Sequence, residues 1–468
     1  MAADFQFIAI QSNGHVNDKA MRRQARSHAI RKALERRRKE QQRSRTNFIV
    51  TTFQDPSLRF KLDQAVEAPK SFTRTSPSPP APTYSALCGA LDPFQTLAVN
   101  SARLQALLGD YRARQAPEPV FSVAEELAFQ SFRLVFRTGF QDPALINSVM
   151  LALAFAAAGG SLDRECLQYQ GQAITYLRER MNSEDEAASE ATIGAILLIA
   201  GVVARLGLAS QVELHMGAVQ QLLQICHRKN VHLTPGIERA VFWQDLNSSL
   251  LAGSRRIVSH TTFSTLLWTR DDCPPGFYRL PPGFQCRSHM LDHEFSVVLE
   301  DLHALQCIRN IPRPRQTDAT RMLHINNHTA SIQSRLMALS GLSRSQECCR
   351  LAACLCSMTL CCKIWSELVL PSHISSLLLC KLREVRDDVD ATIWHVPNSD
   401  LLVWLLYIGG AFAPRGPIRS GYVELLVSYA NGSWSEVHDC MRQFIWSDGA
   451  FLVPVRALWR EVKQSYLR

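Results

Sequence analysis

Apolar residues recur at the spacing of an α-helix over most of the chain from residue 92 onward. Segments in which they follow one another at intervals of three and four residues succeed each other to the end, while strand-like alternation is scarce. This pattern predicts an all-α domain over residues 92–468, built from about a dozen helices in an irregular arrangement. The predicted helices are 123–136, 144–158, 165–181, 190–205, 210–227, 239–252, 293–307, 321–340, 345–367, 374–385, 399–412, 422–430 and 434–445.

A proline-rich stretch interrupts this helical pattern near its middle. The sequence CPPGFYRLPPGF at 273–284 predicts a connector between two halves of the domain, 92–272 and 285–468. The longest apolar runs, 191–204 and 401–413, are shorter than the roughly 20 residues that span a bilayer. We therefore expect two buried helices there and no membrane partner.

The first 91 residues have a different character. Residues 1–17 are a short mixed segment, and 18–45 lack Gly and Pro and are rich in Ala, Arg, Lys and Glu, which predicts a helical basic arm. Residues 46–91 predict a flexible linker, since SFTRTSPSPPAPT at 71–83 contains four prolines and no helical period.

The net charge of the chain is concentrated in the basic arm. The whole chain carries +9, and residues 18–45 contain 12 Lys and Arg against 3 Asp and Glu, so 12 − 3 = +9 lies in these 28 residues. The rest of the chain sums to zero. A charge run attached to a neutral globule indicates a tail that meets a polyanion.

The arm supplies the candidate residues for nuclear import or nucleic-acid contact. Basic side chains on a helix neutralise phosphates without reading sequence. No heptads follow the arm, so it does not have the organisation of a basic leucine zipper. Three alternatives stay open: import alone, import with DNA contact, or a solvated tail. The candidate residues are Arg22, Arg23, Arg26, Arg31, Lys32, Arg36, Arg37, Arg38, Lys39, Arg43 and Arg45.

Short motifs in a fixed order carry a resemblance to a known family. They are RSHAI at 26–30 with RRRK at 36–39, GALDPF at 89–94, DPAL at 142–145, YQGQAI at 169–174 with LRER at 177–180, ATIGA at 191–195, RLG at 205–207, HMG at 215–217, LVWLLYIGG at 402–410 and FIW at 444–446. In this order the chain resembles fungal transcription-factor-like proteins with the fungal-specific regulatory domain.

The resemblance implies a helical regulatory domain and control of transcription in the nucleus, often of secondary-metabolite or catabolic genes. Many such regulators read DNA with a binuclear zinc cluster of six cysteines near the N-terminus. Here the first 87 residues contain no cysteine, so the basic arm is the only candidate for DNA contact. The alternative function is a scaffold or co-regulator that acts through protein partners, or a dimer, without binding DNA.

Two groups of residues have spacings that approach those of metal ligands. The first is Cys348, Cys349, Cys354, Cys356, Cys361 and Cys362, and the second is Cys273, Cys286, His289 and His293. The first group lacks C-x2-C pairs and lies among helical core residues, which favours buried thiols over zinc. For the second we expect a capped helix entry. No secretion signal is evident at the N-terminus, so we expect reduced thiols in cytosol or nucleus.

The common catalytic signatures are missing from the sequence. It contains no G-x-x-x-x-G-K-[ST], no G-x-S-x-G and no H-E-x-x-H. Gly409 and Gly410 lie in an apolar helical stretch without a neighbouring lysine, so they do not form a phosphate loop. We therefore expect a protein that is not an enzyme and that holds no metal or cofactor.

Overall fold

A computed structural model of the chain describes residues 97–110, 141–270, 274–311, 319–361, 369–386, 400–429 and 432–466. These ranges contain sixteen α-helices and no strand, which confirms the all-α class. The helices are α1 Ser101–Gly109, α2 Pro143–Ala157, α3 Arg164–Arg180, α4 Glu184–Ala187, α5 Glu190–Arg205, α6 Ala209–Arg228, α7 Pro235–Ala252, α8 Pro282–Gln285, α9 His293–Asn310, α10 Ala319–Ala338, α11 Arg344–Cys361, α12 Val369–Arg386, α13 Asp400–Ala411, α14 Pro417–Tyr429, α15 Trp434–Arg442 and α16 Asp448–Tyr466.

The helical periodicity located most of these elements to within a few residues. Helix α5 has the predicted bounds, and the prediction for 165–181 differs from α3 by one residue at each end. Helix α16 was missed because Pro454 stands in its interior and suggests a break. The predicted helix 123–136 and the end of the one at 345–367 lie outside the described residues.

Local capping chemistry explains where several helices begin. The carboxylate of Asp142 accepts from the amide of Leu145 at 2.9 Å, directly before Pro143 opens α2. The hydroxyl of Ser433 and the carboxylate of Glu436 form a capping box at the start of α15. Such short polar residues end the preceding connection and fix the first turn of the next helix.

Helix α5 is the centre of the first group of helices. Helices α2, α6 and α7 all pack against it, and α3 packs against α2. Helix α5 is buried on all its sides, with twelve buried residues, as the apolar run 191–204 predicted. Gly201 lets α5 approach α7, since a Cβ there would lie 3.1 Å from the Gln244 side-chain oxygen.

Helices α11 and α13 are the centre of the second group. Helices α9, α10, α12 and α13 pack on α11, while α14, α15 and α16 pack on α13. Helix α13 is buried along nearly its whole length, as predicted for the run 401–413. A Cβ on Gly409 would overlap the Tyr422 ring, whose hydroxyl donates to the Ser375 carbonyl at 2.7 Å. The glycine pair therefore serves close helix packing.

The proline-rich connector packs into the second group of helices. The amide of Gly283 donates to the Gln443 carbonyl at 2.7 Å. The Phe284 ring lies edge-on to Trp404 and Phe444, with centroids 5.4 and 5.1 Å away. The connector is thus part of the packed structure.

One continuous apolar cluster extends through the described residues, from Leu104 in α1 to Val462 in α16. Every described residue belongs to one compact unit, residues 82–468. Among the described residues, none of the helices combines the length and the apolar character needed to cross a membrane.

Candidate functional site

Helix α10 is largely buried between residues 325 and 336 and yet carries many polar side chains there. Its buried polar residues are Asn326, His328, Thr329, Ser331, Gln333 and Ser334. Buried polar groups normally require hydrogen-bond partners. Polar side chains of α7 and α9 and of residues 254–270 converge on this helix, and we call the assembly the buried polar layer.

Arg239 of α7 forms the first part of the layer. Its guanidinium donates to the side-chain oxygens of Asn326 and Asn327 at 2.8 and 2.7 Å, and also to the Thr265 carbonyl. Burial lowers the pKa of Arg239 to about 10, so the group remains charged at neutral pH. A charge that is 2% exposed is thereby satisfied by three neutral acceptors, two on α10 and one on the segment 254–270.

Asp245 of α7 forms the second part, together with Arg256. Arg256 Nε lies 3.1 Å from the Asp245 carboxylate, and Arg256 Nη1 donates to Ser334 Oγ at 2.9 Å. The amides of Ile257 and Val258 donate to the same carboxylate. Burial raises the pKa of Asp245, while Arg256 and the two amides oppose that shift.

Asp301 of α9 forms the third part. Its carboxylate is 1% exposed and pairs with Arg335 of α10 and with Arg270, whose Nε lies 2.8 Å from Asp301 Oδ1. The guanidinium of Arg270 also lies 4.9 Å above the Tyr278 ring. A single carboxylate thus joins α9, α10 and the segment 254–270.

His328 lies near the third part of the layer and is completely buried. Its ring stacks on Trp268, with centroids 3.9 Å apart and planes inclined by 9°. Burial holds the pKa of His328 well below 6.5, and positive charge from His324, Arg335 and Arg270 acts in the same direction. The backbone of Asp301 opposes this lowering of the pKa. Neither ring nitrogen of His328 has a hydrogen-bond partner among the described residues.

The chemistry of this arrangement is charge pairing between elements far apart in sequence. The contacts of Arg239, Asp245 and Asp301 fix α7, α9 and α10 in one register. Breaking any of them leaves a buried charge without its partner, which is costly. The layer therefore joins the helices before the connector to those after it.

The residues of the basic arm, Arg22 to Arg45, lie outside the described residues. The candidates for import or nucleic-acid contact are consequently not brought together with the buried polar layer in the part of the chain that the structure describes. Their assignment remains a prediction from charge placement.

The cysteine-dense segment forms helix α11. Cys348, Cys349, Cys354, Cys356 and Cys361 are all buried, and Cys362 lies outside the described residues. Burial raises the pKa of Cys349 to about 12 and that of Cys354 to about 11. At neutral pH these side chains are therefore thiols that pack as small apolar groups.

The second candidate group contains an ordinary helix entry. Asp292 caps α9 by accepting from the amide of Glu294 at 2.6 Å, and His289 and His293 are exposed. The Cys286 thiol donates to the Gly283 carbonyl at 3.4 Å, and Cys273 lies outside the described residues. Across the described ranges, no group of three or more His, Cys, Asp and Glu side chains could hold a metal ion.

Sequence reasoning did not identify the buried polar layer. The segment 326–335, NNHTASIQSR, was predicted as helix without any sign that its polar side chains are buried. The available signal was a helix without a consistently polar outer face, placed among strongly apolar helices. The hydrogen-bond partners of these polar side chains lie up to 88 residues away in sequence, and local periodicity carries no information about contacts at that separation.

Comparison with known proteins adds no further assignment. No family model, no curated protein and no solved structure matches this chain.

Proposed function

We propose that this protein is a transcription regulator that acts in the nucleus, where the basic arm provides import and DNA contact. The supporting observation is the placement of charge. The arm carries the whole net charge of +9, and the remainder of the chain is neutral. Such a distribution suits a tethered polycation that neutralises phosphates beside a domain that does not repel them.

The helical domain is the regulatory part in this proposal. It is a closely packed all-α unit whose distant segments are joined by the buried polar layer. The resemblance to fungal transcription-factor-like proteins supports the same role and suggests control of secondary-metabolite or catabolic genes. Import machinery and DNA are the partners of the arm, and protein partners or a second copy are those of the helical domain.

Chromatin occupancy of the tagged full-length protein tests this proposal. The test variant has Arg36→Gln, Arg37→Gln, Arg38→Gln and Lys39→Gln. The matched control removes four exposed charges of the helical domain by Arg164→Gln, Arg178→Gln, Arg442→Gln and Arg460→Gln. We expect promoter peaks with the wild type and the control, and their loss with the arm variant. A heterologous import signal fused to the arm variant separates import from DNA contact.

Duplex binding by the purified full chain gives a second readout. Counterion release predicts that log K falls linearly with log salt, with a slope of about −0.9 per phosphate contacted. The arm variant should have a shallower slope than the control variant. The alternative, a scaffold without DNA contact, is favoured by the lack of cysteine in the first 87 residues. Salt-independent behaviour and peaks that persist without the arm would establish that alternative.

A further inference from the structure

Several arginines among the described residues lie over aromatic rings, and they differ in what else holds them. The pairs are Arg256 with Phe242, Arg270 with Tyr278, Arg287 with Phe444 and Arg456 with Trp434. Buried carboxylates bind Arg256 and Arg270, and Arg287 donates to the Gly283 carbonyl at 2.9 Å. Arg456 is exposed, and its guanidinium makes no hydrogen bond or ion pair within the described part of the chain. Of these four cations, the one over Trp434 is therefore the easiest to replace.

Two tryptophans form an aromatic corner, Trp434 at the start of α15 and Trp459 in α16. Their ring centroids lie 5.8 Å apart and their planes are inclined by 64°. Both rings are half-buried, and Trp459 Nε1 donates to the Gly432 carbonyl at 3.4 Å. Arg456 precedes Trp459 by three residues on α16, and its guanidinium carbon lies 5.6 Å from the centroid of the Trp434 ring. The aromatic corner thus already holds one organic cation.

A carboxylate stands behind the aromatic corner. His438 stacks on Trp434 with centroids 5.6 Å apart, and its Nε2 lies 3.1 Å from the carboxylate of Asp448. That carboxylate also accepts from Trp446 Nε1 at 2.7 Å. The hydrogen bond from Trp446 is the main cause that lowers the pKa of Asp448, so this group is charged at neutral pH. Its negative charge lies about one Debye length, ~10 Å, or less from the corner and favours a cation there.

We propose that the aromatic corner binds a quaternary or N-methylated ammonium group, which takes the place of the Arg456 guanidinium. The face of an indole ring carries partial negative charge and attracts such cations, whose methyl groups also pack on the ring. Exposed side chains change rotamer within nanoseconds, so Arg456 can turn into solvent when the ligand arrives. The ligand class comprises choline-like small molecules and the methylated lysine side chain of a partner protein.

Calorimetric titration of the full chain with choline tests the proposal on the wild-type protein. The comparison ligand is its uncharged analogue, in which a tert-butyl group replaces the trimethylammonium group, measured at the same ionic strength. The two ligands have the same shape and differ in charge. We expect choline to bind about fivefold more tightly or better, since an exposed cation–π contact contributes that order of affinity. Equal binding of both ligands, or binding of neither, would overturn the proposal.

Variants then locate the site. Arg456→Ala should bind choline severalfold more tightly than the wild type, because it frees the Trp434 ring. Arg460→Ala is the matched control, since Arg460 is an exposed arginine one turn further along α16 that does not lie over that ring. Equal gains in the two variants would mean that choline responds to net charge alone, and the proposal would be wrong. Trp434→Leu should abolish the preference for choline over its analogue, with a thermal melt to show that this variant is folded.

A peptide with one trimethyllysine, measured beside the same peptide with unmodified lysine, separates the two sources of the ligand. Tighter binding of the methylated peptide than of choline supports the proposal and assigns the site to a protein partner. Binding of choline without a difference between the peptides supports it and assigns the site to a small molecule. If neither choline nor the methylated peptide is preferred over its control, Trp434 and Trp459 only pack α15 against α16. The proposed transcriptional role depends on the basic arm and is tested separately.

Discussion

At the scale of single residues, close approach between helices decides what a position tolerates. Gly409 and Tyr422 lie where α13 meets α14, and the Ser375 hydroxyl donates to the Gly409 carbonyl at 2.8 Å. Gly171 of α3 is also helical, but a Cβ there would meet nothing within 4 Å. The same substitution should therefore have opposite effects at these two glycines.

We expect Gly409→Ala to destabilise the protein by about 2–3 kcal/mol, because the added methyl group displaces the Tyr422 ring from a packed core. Gly171→Ala should stabilise it by about 0.5–1 kcal/mol through helix propensity alone. Urea unfolding followed by circular dichroism measures both. Equal effects at the two positions would contradict the packing explanation.

The buried carboxamides show why the hydrogen bonding of single side chains could not be predicted from the sequence. Gln244 donates to Ser248 Oγ at 2.8 Å, whereas the carboxamides of Asn247 and Gln333 have no hydrogen-bond partner among the described residues. Asn247 and Gln333 are ordinary helix residues in the printed sequence, and nothing nearby distinguishes them from Gln244. Their difference lies in partners that tertiary packing supplies or withholds. Helix periodicity predicts which residues are helical, but it does not predict which polar atoms find a partner.

At the scale of elements, the sequence predicted helices where the apolar spacing is uninterrupted. Helix α5 was predicted with its observed bounds because its caps and apolar run agree, with Ser189 accepting from the Thr192 amide. Helix α16 was missed because Pro454 interrupts an otherwise amphipathic segment. There the burial of Phe451, Val455 and Leu458 outweighs the local cost of proline.

Replacing Pro454 by alanine should therefore stabilise α16. The substitution restores an amide that can donate to the carbonyl four residues earlier, and we expect a gain of about 1–3 kcal/mol. Pro143→Ala is the matched control, since Pro143 occupies the first position of α2, where the amide has no partner within the helix. Thermal melts that rise for Pro454→Ala and not for Pro143→Ala confirm this reasoning, and equal shifts refute it.

At the scale of the whole molecule, buried histidines couple folding to pH. Burial lowers the pKa of His215, His260, His303, His328 and His373 below 6.5. These side chains belong to helices α6, α9, α10 and α12 and to the segment after α7. Acidification therefore acts on both groups of helices at once.

The sign of the change in stability with pH follows from the number of protons that the folded and unfolded chains bind. Below pH 6.5 the unfolded chain binds protons at these histidines that the folded chain does not, so the free energy of unfolding falls as pH decreases. The raised pKa of Asp245 acts in the opposite direction, since its carboxyl holds a proton in the folded chain at pH values where the unfolded chain has released it. Between pH 7.5 and pH 5.5 the histidines dominate, and the melting temperature should decrease.

His328 should contribute most to that decrease, because its pKa is held furthest below 6.5. We expect His328→Phe, which retains a ring to stack on Trp268, to flatten the dependence of melting temperature on pH between 7.5 and 5.5. Where the unfolded chain binds one proton at a site that the folded chain leaves empty, the free energy of unfolding changes by about 1.4 kcal/mol per pH unit. The wild type and the variant are compared by calorimetry at each pH, with the difference at pH 8 as reference. Because the stack with Trp268 joins α10 to the segment after α7, a slope that stays unchanged in the variant would mean that this junction opens and admits solvent before the protein unfolds.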